Sequence, residues 1–250
     1  MNRPVVAITG GTMGLGYALA RQLLTAGLAV SLCARSRSAV ETAVEELSGL
    51  GPVFGIAGDV TDPFFQTDFV KQTATRFGRL DAFVNNASTL GDLPLPELTD
   101  TNAANLRKVL EVNTVAPVLL LQYALPHLTR QSAALVLSIS SDASRAGYPA
   151  WGVYGASKAA LDLLTRAFAH EYEHTSVQFY SVDPGDMQTA MHEAASPGDS
   201  GLADPVDVAA VITRLFRPLL DQSRHAYASG ARLQVAGTTL VSEVTANVSR

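Results

Sequence analysis

The sequence has a single cysteine, Cys33, among 250 residues, so no disulfide can form within the chain and no zinc cluster can be built from thiolates. It has no basic run either, since 18 lysines and arginines stand against 23 aspartates and glutamates, for a formal net charge of −5. The electrostatic attraction that supplies most nucleic-acid affinity therefore has no source. We expect neither a nucleic-acid partner nor a metal site.

Long hydrophobic runs are also missing. The apolar stretch 115–121 is far shorter than the roughly 20 residues that cross a bilayer, and the apolar residues that end at Ile8 are too few for a signal peptide. Hydrophobic residues still make up 47% of the chain, which excludes disorder and allows a sizeable core. We expect a soluble, cytoplasmic protein without a membrane partner. No linker or low-complexity tract interrupts it, which predicts one domain over residues 1–250.

Apolar runs of strand length alternate with longer segments of helical period along nearly the whole chain. This pattern predicts the α/β fold class, with a doubly wound parallel sheet of about seven strands and helices on both faces. The predicted strands are 4–9, 28–34, 52–57, 80–85, 133–140, 176–182 and 226–235, and the predicted helices are 14–26, 37–49, 63–77, 101–125, 152–173 and 205–220.

Glycines or polar residues follow six of these strands. In such sheets every strand's carboxyl end lies at one edge, and ligands bind outside that edge near the point where strand order reverses. Any one of these groups is explained equally well by the general polarity of loops, but six together favour a binding site. They are Thr9-Gly10-Gly11, Arg35, Asp59, Asn85-Asn86, Ser140-Ser141 and Pro184-Gly185.

The glycine-rich turn lies between the first strand and the first helix. Glycines allow a tight turn and a close approach of the backbone to a ligand, and the helix start offers free amides to a pyrophosphate. The turn therefore indicates dinucleotide binding, and it reads Thr9-Gly10-Gly11-Thr12-Met13-Gly14-Leu15-Gly16.

The end of the second strand discriminates between the two nicotinamide dinucleotides. An acid there would accept hydrogen bonds from a ribose 2′-hydroxyl and repel a 2′-phosphate. Here Arg35 and Ser36 occupy this place, and an arginine can hold phosphate oxygens. This favours NADP(H) over NAD(H), and the alternative is a solvated arginine at a helix start.

Tyr154 and Lys158 share one helix face, because they are four residues apart. An ammonium near a phenol stabilises the phenolate and lowers the tyrosine pKa from about 10 toward the working pH, so the tyrosine can act as a general acid or base. Only three lysines occur in the chain, so such a pair would arise by chance in roughly 0.1 of chains of this composition. This favours a specific use of Lys158 over a solvated position. Ser141, thirteen residues before Tyr154, can bind a substrate oxygen.

Together these motifs resemble the short-chain dehydrogenase/reductase family, in its single-domain form of about 250 residues, over essentially the whole chain. The resemblance implies a Rossmann-type sheet, a nicotinamide cofactor and a catalytic tetrad, in which the tyrosine exchanges a proton with the substrate oxygen and the serine orients that oxygen. The lysine also binds the nicotinamide ribose, and the asparagine anchors a water in a proton relay. The residues that carry the resemblance are Thr9-Gly10-x-x-x-Gly14-x-Gly16, Asn85-Asn86-Ala87, Asn113, Ser141 and Tyr154-x-Ala156-Ser157-Lys158.

The resemblance also implies further cofactor contacts. Asp59 and Val60 would contact the adenine, although Asp59 can alternatively cap a helix. Two departures from the family pattern are Ser88, where glycine is usual, and 235–237, which lacks an aspartate and a second glycine. The remaining implied contacts are Asn86 and Ala87 beside the adenosine ribose, and Pro184, Gly185, Met187 and Thr189 beside the nicotinamide.

Pro117 follows Asn113 by four residues in a helical pattern. Proline has no N–H to donate to the carbonyl at i−4, so the Asn113 carbonyl should be free to hold the relay water. An ordinary proline kink is an equally good explanation of this proline.

Residues 186–204 have no clear period and follow the sixth strand, where a substrate lid would lie. Two helices that are apolar on nearly all faces predict a homodimer or homotetramer. We expect an NADP(H)-dependent oxidoreductase acting on a carbonyl or secondary alcohol. The alternatives are a non-catalytic NADP(H)-binding sensor or scaffold, and a ketoreductase on a carrier-bound acyl chain. A mostly apolar pocket is expected from Met187, Met191, His192, Leu90, Leu93, Tyr148 and Trp151, although each is individually explained by packing.

Overall fold

Eight strands form one sheet within residues 3–243, the residues that the computed structural model describes. They are β1 (Val5–Thr9), β2 (Ala29–Ala34), β3 (Val53–Ala57), β4 (Ala82–Asn85), β5 (Ala134–Ile139), β6 (Val177–Asp183), β7 (Arg232–Ala236) and β8 (Thr239–Glu243). The order is β3-β2-β1-β4-β5-β6-β7-β8, parallel throughout except for the antiparallel β7–β8 pair. The predicted doubly wound parallel sheet is confirmed.

Helices cover both faces of this sheet. One core packs the helices 14–25, 37–48 and 205–213 against residues such as Val6 and Ile8, and the other packs the helices 63–77, 116–128 and 152–171 against residues such as Val5 and Ala7. Successive strand residues point to opposite faces, so strands that are apolar throughout feed both cores. The α-helices of the described chain are α1 (Gly14–Thr25), α2 (Arg37–Ser48), α3 (Pro63–Phe77), α4 (Ala103–Leu110), α5 (Ala116–Leu128), α6 (Gly152–Glu171), α7 (Ala190–Ala195), α8 (Pro205–Thr213) and α9 (Arg217–Asp221).

The C-terminal part of the sheet differs from the prediction. The seventh strand begins at Arg232 and not at 226, because Gly230 adopts a left-handed φ of +86° that no strand accommodates. An eighth strand follows, so the expected number of about seven was too low. Gly237, with φ +59°, and Thr238 make the two-residue turn that pairs Ala236 with Thr239.

Two predicted helices are interrupted. The predicted helix 101–125 is α4, a π-helical turn over Glu111–Val115, and α5, which continues to Leu128. The Ala116 amide donates to the Glu111 carbonyl, one residue further back than in an α-helix. The predicted helix 205–220 is likewise divided by a 3₁₀ turn at Arg214–Phe216, just before Pro218, which has no amide hydrogen to donate.

The strand order reverses between β1 and β4, and this reversal opens a crevice at the carboxyl edge of the sheet. The glycine-rich turn after β1 and Asn86 after β4 lie at its mouth. Among the described residues, 103–128 is long and apolar enough to cross a membrane, but half of its most apolar window is buried inside the fold, as in a core helix.

Candidate active site

The glycine-rich turn presents its backbone to the crevice. Gly10 and Gly14 have left-handed φ values of +67° and +53°, which favour glycine. Helix α1 begins at Gly14 without a side-chain cap, so the amides of its first turn remain available to a ligand. A Cβ on Gly16 would overlap the Gly10 carbonyl and the Asn86 amide. The turn therefore requires glycine at these positions to keep its shape.

Thr9 and Asn86 hold this turn in place through hydrogen bonds. The buried Thr9 hydroxyl accepts hydrogen bonds from the Asn86 and Ala87 amides, each at 3.0 Å. The Asn86 side chain donates to the carbonyls of Thr9 at 2.8 Å and Gly10 at 2.9 Å. These hydrogen bonds fix the conformation of the turn. They place Asn86 beside the glycines and Ala87 at the crevice.

Arg35 and Ser36 lie where β2 ends. The Arg35 side chain is exposed and makes no hydrogen bond or ion pair within residues 3–243. Ser36 is the N-cap of α2, accepting a hydrogen bond from the Ala39 amide at 3.3 Å. A surface cleft of about 360 Å³ lies between the glycine-rich turn and this helix start, and Thr12 and Ser38 contribute to its lining.

Asp59, after β3, does not cap a helix. Its carboxylate accepts hydrogen bonds from the amide and hydroxyl of Thr61, at 2.9 and 2.8 Å, and Asp62 is the residue that caps α3. The helix-cap alternative was therefore wrong, and Asp59 remains exposed beside the buried Val60.

The segment after β6 approaches the glycine-rich turn from the other side. Pro184 is buried, and the Gly185 amide donates to the Asp183 carboxylate at 3.0 Å. A Cβ on Gly14 would lie 3.4 Å from the Thr189 methyl group, so the two segments nearly touch. Met187 packs against the core between them. The crevice is thus bounded by Gly14 and Leu15 of one segment and by 185–189 of the other.

Tyr154 and Lys158 lie buried on one face of α6. The Lys158 amino group is 5.5 Å from the centre of the Tyr154 ring and donates a 2.8 Å hydrogen bond to the Ile139 carbonyl at the end of β5. Ser141 lies two residues beyond Ile139 and caps a short 3₁₀ turn. The structure therefore brings together the three predicted reactive side chains at the carboxyl edge of the sheet.

Burial dominates the electrostatics of this cluster. It raises the pKa of Tyr154 to about 12, with further raising by the charges of Asp183 and Asp142 and opposing hydrogen bonds from Ser88 and Ser141. Burial lowers the pKa of Lys158 to about 8, against the opposing effect of Asp162. The predicted lowering of the Tyr154 pKa by Lys158 is therefore wrong, because burial has the larger effect, and a pKa of about 12 keeps the phenol protonated near neutral pH.

Asn113 sits in the π-helical turn with its side chain fully engaged. Its side-chain carbonyl accepts hydrogen bonds from the Thr89 amide at 2.8 Å and the Ser88 hydroxyl at 3.2 Å, and its amide donates to Ser157 at 3.0 Å. Ser157 in turn donates to the Tyr154 backbone carbonyl at 2.6 Å. Asn113 thereby ties the loop after β4 to the helix that carries Tyr154.

Asp142 and Tyr148 extend the cluster toward solvent. The Ser141 hydroxyl donates to one Asp142 oxygen at 3.0 Å, and the exposed Tyr148 hydroxyl donates to the other at 2.8 Å. The Ser141 hydroxyl hydrogen therefore points to the Asp142 carboxylate, and the Ser141 oxygen remains able to accept a hydrogen bond.

An apolar cluster lies against Tyr154. The Trp151 ring is 5.7 Å from the tyrosine ring in an edge-to-face arrangement, and Leu90 packs into the same cluster. Leu93, Tyr148 and Met191 are 38–48% exposed, so they rim this region and do not fill it.

Residues 186–204 form a loop in which Ala195 packs against this apolar cluster. Met187 bridges to Ala203 at its base, and α7 lies within it. His192, 12% exposed, has its two ring nitrogens 3.7 Å from Asp186 and 3.0 Å from Asp199. Both ring nitrogens of His192 therefore face carboxylates of the loop itself.

Four acidic or basic residues around the site were not predicted from the sequence. Asp142 stands directly after Ser141, and Asp183 directly before Pro184, so adjacency was the available signal. Asp162 follows Lys158 by one helical turn, and Arg232 is a lone charge at the start of an otherwise mostly apolar strand. Such a charge in a buried strand is rare unless it is paired, and this rarity could have drawn attention to Arg232.

Known proteins resemble this chain in both sequence and structure. The family model for short chain dehydrogenase matches residues 4–200. L-fucose dehydrogenase from Mus musculus is 36% identical over 197 residues, covering 78% of this chain and 70% of that protein.

Two solved structures share the fold over nearly the whole chain. Levodione reductase has a TM-score of 0.83 at 27% identity, covering 94% of this chain and 96% of that one. An alcohol dehydrogenase from Thermococcus sibiricus, complexed with 5-hydroxy-NADP, has a TM-score of 0.82 at 29% identity, covering 94% and 97%. Because the family model covers well over half of the sequence and the predicted motifs meet at one edge of the sheet, this chain belongs to the short-chain dehydrogenase/reductase family of oxidoreductases, which use a nicotinamide cofactor.

Proposed function

We propose that this protein is an NADP(H)-dependent oxidoreductase that transfers hydride between nicotinamide and a carbonyl or secondary alcohol of a small, mostly apolar substrate. The observation that carries the proposal is the cluster of the buried Tyr154 and Lys158 with the partly buried Ser141 at the mouth of the crevice. Tyr154 is the general acid or base, because it is the proton-carrying group that the ammonium and the serine surround.

The residues at the crevice fit a dinucleotide. The glycines of the turn carry no side chains that would keep a pyrophosphate away, and the uncapped amides at the start of α1 are available to it. When bound, the nicotinamide would supply or accept the hydride. Lys158 would hold its ribose, with Asn86 and Ala87 on the adenosine side and Thr189 across the crevice.

The preference for NADP(H) rests on the end of β2. No acid is present there, and Arg35 is an exposed cation without an ion-pair partner within residues 3–243. A phosphate bound beside Ser36 and Thr12 would satisfy this charge, since guanidinium and phosphate form short, charge-assisted hydrogen bonds.

Proton handling favours reduction. The burial that raises the pKa of Tyr154 to about 12 keeps the phenol protonated, so it is ready to donate to the oxygen of a carbonyl as hydride arrives at the carbon. Ser141 orients that oxygen. Pro117 leaves the Asn113 carbonyl without its i+4 donor, and we assign to this carbonyl the water that resupplies protons through Lys158.

The substrate would enter beneath residues 186–204, which we propose to be a lid, and lie against Leu90 and Trp151. Substrate screens should include L-fucose, tested as an alcohol with NADP⁺, and levodione, tested as a carbonyl with NADPH, since a relative is named an L-fucose dehydrogenase and a structural neighbour a levodione reductase. An acyl group on an acidic carrier is a weaker candidate, because the exposed Glu171 and Glu173 at the end of α6 would repel such a carrier.

Fluorescence titration with NADPH and NADH tests the cofactor proposal. We expect NADPH to bind at least tenfold more tightly, which corresponds to about 1.4 kcal/mol. Arg35→Ser should remove most of this preference, while Arg37→Ser, an exposed arginine at the first residue of α2, serves as the matched control. Equal or tighter NADH binding by the unaltered protein would overturn the NADP(H) assignment.

Tyr154→Phe tests the catalytic proposal. Turnover of a carbonyl with NADPH should fall by about 10²- to 10⁴-fold, while the Kd for NADPH changes little, because only the phenolic proton is removed. A non-catalytic sensor would show no turnover before or after the substitution, and turnover that survives it would exclude Tyr154 as the acid.

A further inference from the structure

Arg232 is among the most deeply buried large side chains in the described structure, although it carries a permanent charge. Its side chain is 2% exposed at the start of β7. Arginine is almost never buried to this extent without partners, because moving a charge out of water costs several kcal/mol. The guanidinium Nε donates a hydrogen bond to Asp162 at 3.0 Å, and Nη1 donates to Glu243. Nη2 donates to the Ser141 carbonyl at 2.7 Å, and it also lies within hydrogen-bond distance of Ser144 at 3.2 Å and Asp183 at 3.4 Å.

These partners belong to the elements that carry the proposed chemistry. Ser141 is the serine of the reactive cluster, and Asp162 lies one turn after Lys158 on α6. Asp183 ends β6 immediately before Pro184, and its other oxygen accepts the Gly185 amide at 3.0 Å. One planar guanidinium therefore joins the loop after β5, the helix of Tyr154 and the loop beside the nicotinamide position.

The charges in this cluster also reach the reacting phenol. Asp183 raises the pKa of Tyr154 through its charge, and the charge of Arg232 lowers the pKa of Asp183 against the larger effect of burial. Without the arginine, two buried carboxylates would repel each other next to the active site. A buried ion pair that loses one member leaves an uncompensated charge, which the surrounding backbone must move to relieve.

We propose that Arg232 is a positioning residue for the reaction proposed above: it fixes the Ser141 backbone, and thereby the serine hydroxyl, and its charge offsets part of the negative charge of Asp162, Asp183 and Glu243. Glu243 on β8 forms an ion pair with Nη1 of the guanidinium, so the hairpin of β7 and β8 also contributes to the position of Arg232. This inference rests on the proposed function, since it assigns Arg232 a part in the same reaction.

The test compares Arg232→Met and Arg232→Lys with the unaltered protein, using NADPH and a carbonyl that the unaltered protein reduces. We expect Arg232→Met to lower kcat by at least about 30-fold, with the Kd for NADPH within about threefold. Arg232→Lys should lie between, because it keeps the charge, but its three N–H donors share one nitrogen and cannot replace the separate Nε, Nη1 and Nη2 donors of the guanidinium. Arg145→Met is the matched control, since the exposed Arg145 pairs with Glu243 but not with Ser141, and we expect less than a twofold change.

A double-variant cycle with Ser141→Ala separates positioning from general destabilisation. If Arg232 acts through Ser141, the double variant should be no more than about threefold slower than Ser141→Ala alone. Losses that multiply, or a kcat of Arg232→Met within threefold of the unaltered protein, would overturn the proposal. If Arg232→Met does not fold, the Arg232→Lys variant carries the same cycle, and a kcat equal to that of the unaltered protein would count against the inference.

Crystal structures of the unaltered protein and the Arg232 variant supply a readout that does not depend on activity. We expect the Ser141 hydroxyl to be displaced in the variant. An unmoved Ser141 would refute the positioning role even if no carbonyl were found to turn over. A protein that binds NADPH but reduces no carbonyl would instead count against the proposed function, and the displacement of Ser141 would then be judged separately.

Discussion

At the scale of single residues, the electrostatics of Tyr154 depend on its acidic neighbours. The phenol is buried, and Asp183 and Asp142 both raise its pKa through their charges. Asp142 accepts hydrogen bonds from the hydroxyls of Ser141 and Tyr148. Its charge opposes formation of the phenolate, which is the form that alcohol oxidation requires.

We therefore predict that Asp142→Asn shifts the pH dependence of alcohol oxidation with NADP⁺. Removing the negative charge lowers the pKa of Tyr154, so the rise of rate with pH should move toward acid. Asparagine keeps one acceptor oxygen, so one of the two hydroxyls retains its acceptor and the other must reorient away from the amide NH2 group. Asp68→Asn, an exposed position on α3, is the control. A profile that does not move would show that Asp142 has no electrostatic contact with the reacting proton.

At the scale of secondary-structure elements, the turn between β1 and α1 is the most constrained. Gly16→Ala would force a methyl group against the Gly10 carbonyl and the Asn86 side chain. We predict that this variant loses NADPH binding by at least about tenfold, because the turn must deform. Gly49→Ala is the control, since nothing lies within 4 Å of its Cβ position and its φ is −69°. If Gly16→Ala binds NADPH normally, the turn is not the cofactor cradle.

The break between α4 and α5 gives a second prediction at this scale. In Pro117→Ala, residue 117 gains an amide hydrogen that can bond to the Asn113 carbonyl and displace the proposed water. We predict that kcat falls several-fold while the melting temperature does not fall correspondingly. Pro126→Ala, a proline within the same α5 but exposed, provides the control. Unchanged turnover in Pro117→Ala would remove the Asn113 carbonyl from the proton path.

At the scale of the whole molecule, the contacting helices α4 and α6 leave apolar side chains exposed. Leu163 on α6 is 64% exposed, and Leu106 on α4 and Val115 in the π-helical turn are each 38% exposed. A helix that is apolar toward both the sheet and solvent indicates a second subunit on its outer side.

We predict that light scattering of the unaltered protein gives a mass two or four times that of the 26.3 kDa chain, and that Leu163→Asp lowers it. A charge placed in an apolar interface is costly, because it loses its water without gaining a partner. Phe64→Asp, at an 86% exposed position on α3, should leave the mass unchanged. A monomeric unaltered protein at micromolar concentration would contradict the predicted homo-oligomer.

The sequence by itself determined that a parallel sheet forms, that a helix follows each of its first six strands, and that the motifs meet at one edge of the sheet. Apolar runs long enough for strands, such as 134–139, and the four-residue spacing of Tyr154 and Lys158 are local properties, so they are readable along the chain. The right-handed crossover then fixes the common edge without knowledge of any side-chain contact.

Only the tertiary structure decided which side chains meet across elements. Arg232 and Asp162 are 70 residues apart, and no local period connects them; their pairing follows from β7 lying beside β6, against which α6 packs. The break at Glu111–Val115 and the strand Thr239–Glu243 were also missed, because a helical period continues through a π turn and a short edge strand gains its hydrogen bonds from its neighbour. Long-range pairing is set by packing, and packing is a property of the folded chain.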